Sequence, residues 1–120
     1  MNDQIYLIGD VHGCYKTLCA LIDHLPCGAD SKICFVGDLI DRGKGSFEVV
    51  QLAMQRGYAA VMGNHEYRLL QHKDAFLRSE TPSDPRWFYL NGGAQTFASY
   101  AKASRAQKLA HIEFLSNLPL

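Results

Sequence analysis

Ile33-Cys34-Phe35-Val36-Gly37-Asp38-Leu39-Ile40-Asp41-Arg42-Gly43 is the stretch that decides the fold. It opens with four consecutive apolar residues. A strand with one wet face would alternate, so this run reads as a strand buried on both faces of a parallel sheet. The run stops at a glycine, and two aspartates and an arginine follow. The same grammar stands on either side of it. Ile5-Tyr6-Leu7-Ile8 leads into Gly9-Asp10, and Ala59-Ala60-Val61-Met62 leads into Gly63-Asn64.

Each apolar run is followed by a helical pattern. Leu18, Leu21, Ile22 and Leu25 recur at helical spacing before Pro26 and Gly28 stop the segment. Ser46 is read as the N-cap of a helix through Arg56, with Val49, Val50 and Ala53 on one face and Gly57 as the stop. A third helix is expected from about His65 to Leu77, with Leu69, Leu70 and Phe76 inward. Strand and helix in alternation predict an α/β fold of βαβ units with a parallel sheet. Ser79, Thr81-Pro82-Ser83-Asp84-Pro85 and Gly92-Gly93 then mark a loop, which Trp87, Phe88 and Tyr89 are expected to pin onto the sheet edge. Two more helices are expected, about Ala94 to Lys102 and Ala106 to Asn117. Residues 1–120 read as a single domain without linker, repeat or low-complexity segment.

Composition narrows the function classes. Lys+Arg and Asp+Glu are both 12 in 120 residues, so no basic surplus exists to hold a nucleic-acid backbone or an anionic membrane. No run reaches the ~18 apolar residues of a membrane span. Met1-Asn2-Asp3-Gln4 lacks the build of a signal peptide, so the expected location is the cytoplasm. Cys14, Cys19, Cys27 and Cys34 contain no CxxC spacing and are expected as reduced thiols, with Cys19 and Cys34 as small core residues.

The chemistry lies at the ends of the runs. In open α/β sheets, ligands bind beyond the carboxyl ends of parallel strands. Asp10, Asp38 and Asn64 should therefore converge on one crevice, with His12, Asp41, Arg42, His65 and Glu66 around them. Crowded carboxylates repel one another unless cations neutralise them. A mixture of Asp, His and Asn without cysteine suits Mn, Fe, Zn or a similar divalent ion. Asp38, with two oxygens, is the natural bridge between two ions.

Gly9-Asp10-Val11-His12-Gly13, Gly37-Asp38-Leu39-Ile40-Asp41-Arg42-Gly43 and Gly63-Asn64-His65-Glu66 resemble the GDxHG, GDxxDRG and GNHE motifs of the calcineurin-like metallophosphoesterases. The middle form points to the phosphoprotein phosphatase branch, in its bacterial and phage serine/threonine phosphatase type. Trp87-Phe88-Tyr89-Leu90-Asn91-Gly92-Gly93 and the closing Phe114 to Leu120 are similar to that group too. Symmetrical diadenosine tetraphosphate hydrolases share the three motifs and are the close alternative.

The resemblance implies hydrolysis of phosphate monoesters, in a phosphorylated protein or a small phosphoester, by direct attack of hydroxide generated at two divalent ions, manganese foremost. It implies that Asp10 and His12 bind one metal, that Asp38 bridges both, and that Asn64 binds the second. Arg42 would grip the phosphate with Asn64 and His65 beside it. His65 would be the general acid, with Asp41 hydrogen-bonded to it. The family domain is longer than this chain and takes two further histidine ligands from its second half. His24, His72 and His111 are no convincing substitutes, and His111 is expected at the surface or packing edge of its helix. The expectation is therefore the N-terminal half of the family's αββα sandwich. Two further readings follow from it: a non-catalytic remnant that binds metal weakly, or a module that self-associates or is completed by another chain.

Overall fold

The computed structural model describes residues 4–120; Met1, Asn2 and Asp3 of the polar N-terminus lie outside the described residues. Three parallel strands form one sheet in the order β1-β2-β3: β1 Ile5–Ile8, β2 Lys32–Phe35 and β3 Ala59–Ala60. Leu7 pairs with Cys34 and Cys34 with Ala59; Ile8 pairs with Phe35 and Phe35 with Ala60. Helix α1 (Tyr15–Asp23) and a 3-10 turn (Gly28–Asp30) join β1 to β2, and α2 (Ser46–Arg56) joins β2 to β3. Beyond β3 come α3 (Asn64–Gln71), α4 (Lys73–Arg78), a π-helical turn (Arg86–Leu90), α5 (Gly93–Ser99) and α6 (Arg105–Ser116). Among the described residues no helix is long and apolar enough to cross a membrane.

The core lies on one face of the sheet. Ile8, Ile33, Phe35 and Ala60 are buried there with Leu18 and Ile22 of α1, Val49, Val50 and Ala53 of α2, and Leu69, Phe76, Ile112 and Leu115 of the later helices. Burying these side chains supplies most of the stabilisation, roughly 1.5–3 kcal/mol for each large apolar side chain. The other face differs from the two-sided burial that the apolar runs predict. Ile5 is 62% and Leu7 70% exposed, with Val36 and Ala59 also exposed. A continuous apolar run calls for two covering layers, and the described residues cover only one face.

Several local expectations are corrected. The helix expected over His65 to Leu77 breaks at His72, whose ring stacks on Trp87 at 5.4 Å and 14°. Gly45, not Ser46, is the N-cap of α2, because the Ser46 hydroxyl accepts from the Asp41 amide instead. The segment read as pure loop contains the π-helical turn, and Trp87 packs against His72 and Phe97 rather than on the sheet edge. Cys19 and Cys34 are only half-buried; all four thiols are free. His111 is 1% exposed, its ring stacked on Phe47 and bonded to Tyr100 and Gln51. Polar partners on α2 and just after α5 make an interior place available to it.

Candidate active site

The chain leaves each strand through a turn that the backbone must force. Asp10 (φ 50°), His12 (φ 46°), Asp38 (φ 57°), Asp41 (φ 74°) and Arg42 (φ 74°) all lie in the left-handed region, which is costly for non-glycine residues. The turns hold because they bond to one another. The His12 amide donates to the Asp38 carbonyl (2.9 Å), Gly13 to Leu39 (2.8 Å) and Gly43 to His12 (2.8 Å). At Gly37 (φ 98°) a methyl group would strike the Gly63 backbone, so the second and third turns touch where only glycine fits.

These turns bring Asp10, His12 and Asp38 together: one ligand atom of each lies within 4.8 Å of the others. The His12 Nδ1 lies 2.9 Å from the Ile40 carbonyl oxygen. A carbonyl only accepts, so Nδ1 carries the proton and Nε2 has the free lone pair that a metal needs. Two carboxylates and one imidazole, with ring tautomer fixed from behind, are the donor set of a borderline divalent cation. The residues fit such an ion.

Asn64 begins α3 beside this cluster and is exposed. The His65 amide donates to Asp38 Oδ1 (3.3 Å), and the His65 ring meets the His12 ring edge-on at 4.7 Å. His65 Nδ1 lies 2.7 Å from Oδ2 of Asp41, which is wholly buried. Nδ1 therefore donates to the carboxylate, and Nε2 is the ring atom left for other chemistry. Arg42 is exposed at the rim; its amide donates to the Gly92 carbonyl (3.2 Å). The seven residues given site roles in the sequence thus stand on the three adjoining turns.

Glu66 was read from the sequence as lying around the crevice but without a role, and two further contributors escaped sequence reading. Glu66 is wholly buried and accepts four backbone amides: Gly63 and Asp38 on Oε1 (2.8 Å each), Leu39 (2.8 Å) and Ile40 (3.4 Å) on Oε2. Burial pushes its carboxyl pKa up, while three of those donors, Gly63, Asp38 and Leu39, pull it down. Its sequence signal was a glutamate at the third position of a helix, where it reaches back to the N-cap amide. Trp87 and Thr96 both donate to the Asp41 carboxylate, and no sequence signal pointed to them.

The chain has relatives of known identity. Serine/threonine-protein phosphatase 2 of Salmonella typhimurium is 39% identical over 91 residues, which are 75% of this chain and 38% of that protein. The symmetrical bis(5'-nucleosyl)-tetraphosphatase of Salmonella paratyphi B is 43% identical over 68 residues, 54% of this chain and 24% of that protein. The chain thus spans well under half the length of these curated relatives. A crystal structure of a metallophosphoesterase from Sphaerobacter thermophilus superposes with a TM-score of 0.52 at 24% identity, covering 96% of this chain and 40% of its own. A second, assigned only provisionally as a diadenosine tetraphosphatase, gives 0.60 at 23% identity over 96% of this chain and 42% of its own. Both share the fold. Residues 4–119 match the calcineurin-like phosphoesterase family, and the chain, an α/β protein with hydrolases among its relatives, belongs to that family.

Proposed function

We propose that the chain carries the catalytic turns of a phosphate-monoester hydrolase of the serine/threonine protein phosphatase type, acting in the cytoplasm with manganese as its metal. The observation that supports this most is the His65–Asp41 pair standing beside the Asp10, His12 and Asp38 cluster. A proton donor next to a metal site suits cleavage of an ester whose leaving alkoxide needs a proton.

In this reading Asp10 and His12 would hold one ion, Asn64 would hold a second, and Asp38 would serve as a ligand to both. Two such ions, when bound, supply charge neutralisation and an activated water. The remaining work belongs to side chains. Arg42, fixed at its backbone by Gly92, offers a planar fork to two phosphoryl oxygens. His65, held through Nδ1 by Asp41, delivers a proton from Nε2 to the leaving oxygen. Asn64 and His65, at the first turn of α3, would meet the same anion through their side chains, since the His65 amide is taken by Asp38.

The 75% of this chain aligned to the Salmonella phosphatase, against 54% aligned to the tetraphosphatase, favours the monoesterase reading. Assay of the purified chain with manganese against an aryl phosphate, a phosphothreonine peptide and a symmetrical dinucleoside tetraphosphate separates the readings. Turnover of the first two is expected. Turnover of the dinucleotide alone would transfer the assignment, and no turnover with metal bound would leave a metal-binding remnant.

A further inference from the structure

We propose that Trp87 and Thr96 are positioning residues for the proton donor: together they fix the Asp41 carboxylate so that it holds His65 in one orientation. The inference rests on the reading of His65 as general acid.

Asp41 is wholly buried, and among the described residues no lysine or arginine pairs with it. Its side chain meets three donors. Trp87 Nε1 donates to Oδ2 at 2.7 Å, the same oxygen that receives His65 Nδ1 at 2.7 Å, and the Thr96 hydroxyl donates to Oδ1 at 2.5 Å. The final torsion of an aspartate is broad and roughly two-fold, so a carboxylate held by histidine alone can rotate. Donors on both oxygens, arriving from separate elements, remove that freedom.

The donors are themselves fixed. The Trp87 indole stacks on the His72 ring and meets the Phe97 ring edge-to-face. A methyl group on Gly93 would strike its six-membered ring, so the α5 backbone is pressed against it. Thr96 also accepts the Asp41 amide (2.9 Å) and lies 3.2 Å from the Ser46 hydroxyl. Since the Thr96 proton goes to Oδ1, Ser46 is the donor in that last contact. The segment from Arg86 to Ser99 thus sets the alignment of a pair 20 or more residues earlier in the chain.

The test uses Trp87→Phe, Thr96→Val and Thr96→Ser in the full chain. Trp87→Phe keeps the aromatic packing and removes the donor; Thr96→Ser restores the hydroxyl that Thr96→Val deletes. With alkyl phosphates, kcat should fall about 10- to 100-fold in Trp87→Phe and Thr96→Val with KM unchanged, the usual range for partners behind a functional imidazole. Aryl phosphates, which need less protonation, should lose less, and Thr96→Ser should recover most of the activity. Equal losses on both substrates, or a loss in KM alone, would overturn the proposal.

A second readout does not need turnover. In the 15N-labelled chain the His65 Nδ1–H proton resonance, identified by its absence in His65→Asn, should be sharp in the native chain and in Thr96→Ser. It should broaden or move upfield in Trp87→Phe and Thr96→Val. Reciprocally, the indole N–H resonance of Trp87, the one tryptophan in the sequence, should move in Asp41→Asn. An inactive native chain would defeat the phosphatase reading while these resonances still decided the positioning role. Resonances that stay in place throughout would refute it.

Discussion

Acid should destabilise this fold through His111. The ring is buried in α6, where Nδ1 lies 2.6 Å from the Tyr100 hydroxyl and Nε2 lies 2.5 Å from Gln51 Oε1. An amide oxygen only accepts, so Nε2 carries the proton, and Nδ1 accepts from Tyr100. The neutral ring satisfies both contacts. A second proton would make Nδ1 a donor, and the Tyr100 hydroxyl would have to turn its own proton away from the ring within a buried setting. Burial accordingly pushes the His111 pKa down to about 4 from an ordinary 6.5. The sign follows from proton uptake. Below pH 6.5 the unfolded chain takes a proton that the folded chain refuses, so stability present above 6.5 is lost progressively as pH falls toward 4. At 1.36 kcal/mol per pH unit, the loss is about 2 kcal/mol by pH 5 and about 3 kcal/mol when complete. Against a total of ~5–15 kcal/mol for an ordinary domain, that is a large share.

The assay is urea unfolding at pH 7.5, 6.5, 5.5 and 4.5, followed by the fluorescence of Trp87, which is 1% exposed in the fold. Every other ionisable group is common to the two chains, so the quantity to read is the difference from His111→Gln. Glutamine keeps one donor and one acceptor for the same neighbours and cannot be protonated. The native chain should lose roughly 2.5 kcal/mol more than the variant between pH 7.5 and 4.5, about half of it by pH 5.5. A difference that stays constant across the series would refute the reasoning, because it would mean that His111 titrates alike in both states.

Further outcomes are expected from the site and the sheet. Asp38→Asn should weaken manganese binding in calorimetric titration by about tenfold or more, since it removes a carboxylate charge from the Asp10, His12 and Asp38 cluster. His65→Asn should leave metal binding in place and lower kcat on alkyl phosphates more than on aryl phosphates; equal losses would remove His65 as the acid. Gly92→Ala should raise KM for phosphate substrates and lower the melting temperature, because φ is +92° there and a methyl group would strike the Arg42 backbone. The open sheet face around Ile5 and Leu7 should drive self-association at micromolar concentration in sedimentation, and a monodisperse monomer would show that the face is tolerated in water.

What could be read from the sequence is what is local in it. Each apolar run with its terminal glycine and polar residue is contiguous, so the three turns and their parallel strands were legible before any contact was known. Glu66 was half-legible, because the third position of a helix is a recognised place for a glutamate to reach back. The strand faces were not: an apolar run states that a side chain tolerates burial, while whether Leu7 meets a helix depends on what the rest of the fold supplies. Trp87 and Thr96 were beyond reach for a related reason. They lie 46 and 55 residues from Asp41, and nothing in an aromatic residue within a loop announces that its N–H serves a carboxylate elsewhere.

The backbone strain at the site joins these two levels. Of the six described non-glycine residues with positive φ, five are Asp10, His12, Asp38, Asp41 and Arg42; the other, Ser79, ends a helix. Each costs on the order of 1 kcal/mol, and glycine would relieve it. Glycine, however, would forfeit the ligand, the buried acceptor or the guanidinium that the turn displays. The sequence keeps the functional side chain and places glycine next to it, at Gly9, Gly13, Gly37 and Gly43. The strain is borne by contacts that no neighbouring residue predicts: Glu66 gathering three amides of the Asp38 turn, Gly92 accepting from Arg42, and Thr96 closing on both ends of Asp41. The motif residues therefore need the segment after β3 to hold their conformation, and removal of Arg86 to Ser99 should disorder the turns while all three motifs remain in the chain.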